Sequence, residues 1–207
     1  MGQFHRATLT PTKIELIEAW VPSQPWGPAA NEPVHAVGAY RIDDPEGRVG
    51  MEAHLIVAGE TLFHVPLTYR DEPLAGAADD LVGEMHHSAL GTRWIYDGLS
   101  DPLFVVMLAA VAMTGQGEAL GMVFQDDRWH IAPSNVRIQG GGWTQQRVPV
   151  DGFTQTSADA DSVSFQNDRF ELLTFRRPPI GPAPAIGLTA AWEGGPGSVV
   201  LAEVSER

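Results

Sequence analysis

The chain has 207 residues, 43% of them hydrophobic, enough for a buried core in one or two domains. Its formal charge of −13, with 13 basic against 26 acidic residues, argues against nucleic-acid or anionic-membrane partners, because both need clustered cations. The absence of cysteine excludes disulfides, thiolate catalysis and cysteine-based metal centres, and it agrees with a reducing compartment.

The stretch Met1-Gly2-Gln3-Phe4-His5-Arg6 holds no apolar segment of signal-peptide length, so a cytoplasmic location is expected. A helix is predicted over residues 10–20, with Thr10 as N-cap, Pro11 at the first helical position, and Ile14, Ile17 and Trp20 on one stripe. Pro22 should end it, and residues 23–28 read as a turn-rich link. Strands are predicted over 34–42, 49–57 and 61–69, separated by short Gly- or Pro-containing breaks that favour antiparallel hairpins. Residues 71–80 form an acidic loop, and 82–88 and 92–96 add two more strands.

Ser100-Asp101-Pro102 repeats the helix-start signature before an apolar run over 102–113. That run is too short to span a bilayer as a helix and apolar nearly all round, which predicts a buried helix wedged between two sheets. Residues 114–117 then offer the best domain boundary. Beyond it, strands are predicted over 119–124, 129–138, 163–165, 169–175, 186–192 and 198–204, with 139–142 and 157–161 as flexible connections.

Few residues suggest chemistry. On a strand Glu84 and His86 would share one face and His87 the other, so a metal site would need further ligands from elsewhere; the favoured account is an edge-strand pair or a packing motif. His54 and His64 fall on neighbouring strands as a cross-strand pair. Six tryptophans could offer faces to sugar rings, with core or interface packing favoured for Trp20, Trp26 and Trp94; Trp143, in its Gly-rich loop, is the best exposed candidate. That loop opens onto no helix, so it makes a poor phosphate cradle, and no Gly-x-Ser-x-Gly elbow points to a hydrolase.

Two sets of motifs carry a family resemblance. Ala19-Trp20-Val21-Pro22-Ser23-Gln24-Pro25-Trp26, Val65-Pro66-Leu67-Thr68-Tyr69-Arg70, and the run from His87 to Asp97 with Asp101-Pro102 resemble the N-terminal cap of actinobacterial maltokinases and their glucosamine-kinase relatives. Leu172-Leu173-Thr174-Phe175-Arg176-Arg177, followed by Gly181-Pro182-Ala183-Pro184, resembles the lysine strand and following turn of the same kinases, with Leu173 in the lysine's place.

The resemblance implies an α+β fold of two antiparallel β subdomains: a cystatin-like cap over 1–116 and a kinase N-lobe-like sheet over 117–207, joined through the helix near 101–113. It also implies no kinase chemistry. A leucine cannot meet nucleotide phosphates as a lysine does, and Lys13 is the only lysine in the chain. Little room remains after Pro184 for the helix carrying the lysine's glutamate partner, and no segment before Arg207 resembles a catalytic lobe.

The expected role is therefore a non-catalytic accessory or regulatory protein of maltose, trehalose, glycogen or amino-sugar metabolism, without a cofactor. A sugar kinase or another enzyme of that metabolism is the implied partner, and a subunit that complements a sugar kinase is one alternative. Trp143, His86, His87, Arg176 and Arg177 are the candidate ligand or partner contacts, Arg176-Arg177 being read as the solvated end of a strand. A glycan or small-molecule module using the cleft between the subdomains is the alternative.

Overall fold

The computed structural model describes residues 2–3 through their backbone, and 7–29, 31–132, 134–143 and 149–207 in full. In chain order the elements are β1 (Gly2–Gln3), β2 (Leu9–Thr10), α1 (Lys13–Trp20), β3 (Val34–Ile42), β4 (Gly50–Ala58), β5 (Thr61–Arg70), β6 (Leu81–His87) and β7 (Gly91–Asp97). Then follow α2 (Pro102–Thr114), β8 (Gly121–Gln125), β9 (Arg128–Ala132), β10 (Val136–Gly140), β11 (Thr154–Ala158), β12 (Ser162–Gln166), β13 (Phe170–Phe175), β14 (Gly187–Trp192) and β15 (Val199–Glu206). The class is α+β and largely antiparallel β. One six-stranded sheet runs β2-β6-β7-β5-β4-β3 and a second runs β10-β14-β15-β13-β12-β11. A third, small sheet, β1-β8-β9, joins the start of the sequence to its middle through a parallel β1–β8 pair and was not foreseen.

Helix α1 starts two residues later than the sequence suggests. Thr10 is taken by the ladder with His86, and Thr12 caps the helix instead through a capping box with Glu15. Its Leu16 and Ile17 pack on Ile56, Phe63, Val65 and Leu67 of the first sheet. On the opposite face Tyr40, Met51, Ala53 and Leu55 meet α2. Most of both faces of β4 and β5 is thus covered, which explains their largely apolar runs.

Helix α2 fulfils the expectation of a wedge. Asp101 caps it, Pro102 opens it, and Gly115 ends it in the left-handed conformation at φ 66°. Phe104, Leu108 and Ala112 share one core with Leu172, Leu188 and Leu201 of the second sheet. The Gly-rich segment after β10 is packed, not flexible. Gly140, Gly141 and Gly142 donate to the carbonyls of Gln116, Gly187 and Ala112 at 2.8–2.9 Å, and a Cβ on Gly142 would sit 2.6 Å from Met113 Cα. Only glycine permits so close an approach to the end of α2.

The strand predicted over 129–138 divides into β9 and β10, which belong to different sheets. Pro133 has no N–H to give a ladder, and just past it Ser134 Oγ donates to the Ala39 carbonyl while Asn135 Oδ1 accepts from Ala39 N. The division ties the second half of the chain to β3. Of the segment read as flexible over 157–161, Ser157 and Ala158 end β11. Asp159 then turns the chain by accepting from the N–H groups of Asp161 and Ser162.

A polar seam completes the junction between the two large sheets. The N–H of His64 donates to the Arg176 carbonyl at 2.9 Å, and His64 Nδ1 lies 3.2 Å from the Phe175 carbonyl. A carbonyl only accepts, so Nδ1 carries the proton and Nε2 accepts from the Tyr40 hydroxyl at 2.8 Å. Burial, reinforced by the Arg176 charge, pushes this imidazole down to about 3, so it stays neutral. The cleft expected between the halves is therefore filled by α2 and this seam.

Candidate functional site

The five candidate contact residues divide between surface and interior. Trp143 is 79% exposed, beside the end of α2. His86 is exposed on the same face of β6 as Glu84, whereas His87 points to the opposite face with Met85. His87 Nδ1 accepts from the N–H groups of Ala89 and Leu90 at 3.2 and 3.1 Å, so it shapes the β6–β7 turn. Among the described residues no cluster of three metal-ligating side chains forms.

Arg176 corrects the reading of a solvated strand end. It is 3% exposed, its guanidinium pairs with the buried Asp97 carboxylate, and it stacks 4.3 Å from the Trp26 ring centre. Arg177 bonds the Trp26 carbonyl and Asp161 at 3.2 Å each. Both arginines bind the chain to itself, so neither offers a free guanidinium to a ligand. Leu173 faces away from the core residue Leu172, half-buried on the outer side of its sheet, with Ser164 and Glu203 as cross-strand neighbours. Between β13 and β14 the chain forms no helix. His54 and His64, expected as a pair, lie on opposite faces, because His54 registers with Val65 and His64 with Leu55.

The concavity with the most varied chemistry lies on the first sheet. With eight residues α1 is about 12 Å long and covers only part of that face. Beyond its first turn the bare sheet and the 43–49 loop enclose a pocket of about 740 Å³, within the roughly 300–1,000 Å³ usual for small-molecule sites. Lys13 of α1, Arg41 of β3, Glu52 of β4, Tyr69 of β5, Met85 of β6 and Arg93 of β7 all line it. Gly50 faces Tyr69 across the ladder and leaves space for its ring, since a Cβ there would lie 3.3 Å from Tyr69 Cβ.

At the pocket floor Lys13 Nζ sits 2.5 Å from Glu52 Oε2 and 5.4 Å from the centre of the Tyr69 ring, with Arg41 at 3.7 Å and His54 at 3.4 Å from the same carboxylate. Burial alone would raise the Glu52 carboxyl, yet the ammonium of Lys13, with His54 and Arg41, outweighs it and holds the group below the usual range. Burial, aided by Lys13 and against the pull of Glu52, drops His54 to about 4. Burial and then the Glu52 charge push the Tyr69 phenol upward. A carboxylate and a phenol thus share a cleft with the chain's one lysine, and the buried neutral imidazole of His54 backs the carboxylate. With its Nζ engaged by the Glu52 carboxylate, Lys13 offers no free amine nucleophile.

Sequence reasoning missed this pocket because its residues come from seven elements and the loops between them. One signal was present: Glu52 and His54 interrupt an apolar strand, where a charge must find a partner.

No curated protein matches the chain. The model of the maltokinase N-terminal cap domain does match, over residues 20–101, which run from the last residue of α1 to the residue that caps α2 and include five strands of the first sheet. This part of the chain is similar to a maltokinase N-terminal cap domain.

Proposed function

We propose that the protein is a non-catalytic accessory or regulatory module of maltose, trehalose or glycogen-type sugar metabolism, built as a cystatin-like cap over 1–116 and a kinase N-lobe-like sheet over 117–207. The carrying observation is β13. The sequence resemblance sets Leu173 in the place of a kinase lysine, and the chain forms no helix between β13 and β14 that could carry the glutamate partner of such a lysine. The match to a maltokinase cap domain supports the pathway, and the helix laid on an antiparallel sheet supports the cystatin-like reading. A cysteine-free chain suits the reducing cytoplasm.

The partner in this reading is a sugar kinase. Phe124, Trp129 and Ile131 project from the β8–β9 hairpin, exposed by half or more, as surfaces covered by partners do. The test mixes the purified chain with a maltokinase freed of its own cap and records native mass spectra and kinase rates. A one-to-one complex that changes the rate, and is weakened by Trp129→Glu, is the expected result. Absence of a complex and of any rate effect would overturn the partner role, and sugar phosphorylation by the chain alone would overturn the non-catalytic one.

A further inference from the structure

The pocket on the first sheet is rich in charge and yet balanced. Lys13, Arg41, Arg48 and Arg93 bring four cations to its lining. Asp43, Asp44, Glu52 and Asp71 bring four carboxylates. Much of this charge is satisfied inside the protein. Glu52 holds Lys13 and Arg41, Arg48 pairs with Glu46, and Asp44 accepts the backbone N–H groups of Glu46, Arg48 and Val49 at 2.8–2.9 Å.

Such a lining discriminates among ligands. A phosphate calls for surplus N–H donors, and a divalent cation calls for surplus carboxylates; this pocket has neither excess. Hydroxyl groups donate and accept at once, so they can bridge a guanidinium and a carboxylate whose charges already cancel. The half-buried Arg93 side chain makes no hydrogen bond or ion pair among the described residues and presents an unused planar fork that fits two adjacent hydroxyls. Tyr69 and Met85 add the apolar surface against which the C–H face of a sugar ring packs.

We propose that this pocket binds a neutral polyhydroxylated ligand, a mono- or disaccharide, held by Arg93, the Lys13–Glu52 pair and the Tyr69 ring. Neither a protein partner nor the loss of kinase chemistry is required for it.

Lys13, the chain's one lysine, supplies the probe. Reductive methylation with ¹³C-formaldehyde labels it and the terminal amine, and dimethylation keeps its charge. The labelled protein is titrated with glucose, maltose and trehalose, and separately with glucose 6-phosphate and ATP; calorimetry on unmodified protein repeats each titration. The expected result is a saturable shift of the Lys13 methyl signal with at least one neutral sugar, with a Kd of about 1 mM. Arg93→Ala, which removes no internal bond, should weaken binding about tenfold while leaving the rest of the spectrum in place. No shift and no heat with any neutral sugar, or a response to the phosphorylated ligands alone, would overturn the proposal.

Discussion

Removing one member of the Arg176–Asp97 pair tests how the two halves are joined. Both side chains are nearly inaccessible, at 3% and 10% exposure, and come from opposite sides of the junction. Arg176→Met leaves the Asp97 carboxylate buried with the Leu99 N–H, 3.1 Å away, as its remaining donor among the described residues. Asp97→Asn leaves the guanidinium over Trp26 with no counter-charge. Stranding one charge of a buried pair costs about 3–5 kcal/mol. In a chain of this size that lowers Tm by roughly 10 °C. Urea and thermal unfolding of both single variants and the double variant give the coupling energy. The double variant should be markedly more stable than the sum of the singles predicts, because it strands no charge. Additive losses below about 1 kcal/mol each would refute the reasoning, since they would mean the pair is solvated and the halves are held elsewhere.

Acid should destabilise the fold through two histidines. Unfolded imidazoles, near 6.5, are protonated at pH 5, while His64 at about 3 and His54 at about 4 stay neutral when folded. Protons bound only by the unfolded state draw the equilibrium toward it, so stability falls as pH drops from 7 to 5, by about 2 kcal/mol per histidine. Chemical denaturation at the two pH values checks this, and His64→Gln should remove about half of the difference. Gly142→Ala should lower stability by about 1–3 kcal/mol, because its Cβ meets the Met113 backbone at 2.6–2.7 Å; a thermal melt reads the loss.

What the sequence disclosed depended on how local each signal was. Helix α2 could be read in full, because Asp101-Pro102 marks its start and its apolar run has no polar face to expose. The hairpins of β3, β4 and β5 were equally legible from short Gly- and Pro-containing breaks. Strand β11 escaped because Thr154, Gln155, Thr156 and Ser157 are all exposed on a sheet edge and show no alternation. β1 and β2, two residues each, exist only through partners far along the chain. Arg176 looked solvated for the same reason: its partner Asp97 is 79 residues away, and no local pattern announces a buried ion pair. For the candidate site, the strand parity of Glu84, His86 and His87 was correct. The pocket depends on α1 being too short to cover its sheet, a property of packing that periodicity does not carry.

The most direct test of the non-catalytic reading is calorimetry with Mg-ATP on the wild-type chain and on Leu173→Lys, followed by a phosphorylation assay with maltose and glucosamine. Neither protein should bind Mg-ATP or form product, since the variant gains a lysine without a helix to supply its glutamate. Binding of Mg-ATP by the wild-type chain with transfer of phosphate to a sugar would contradict it.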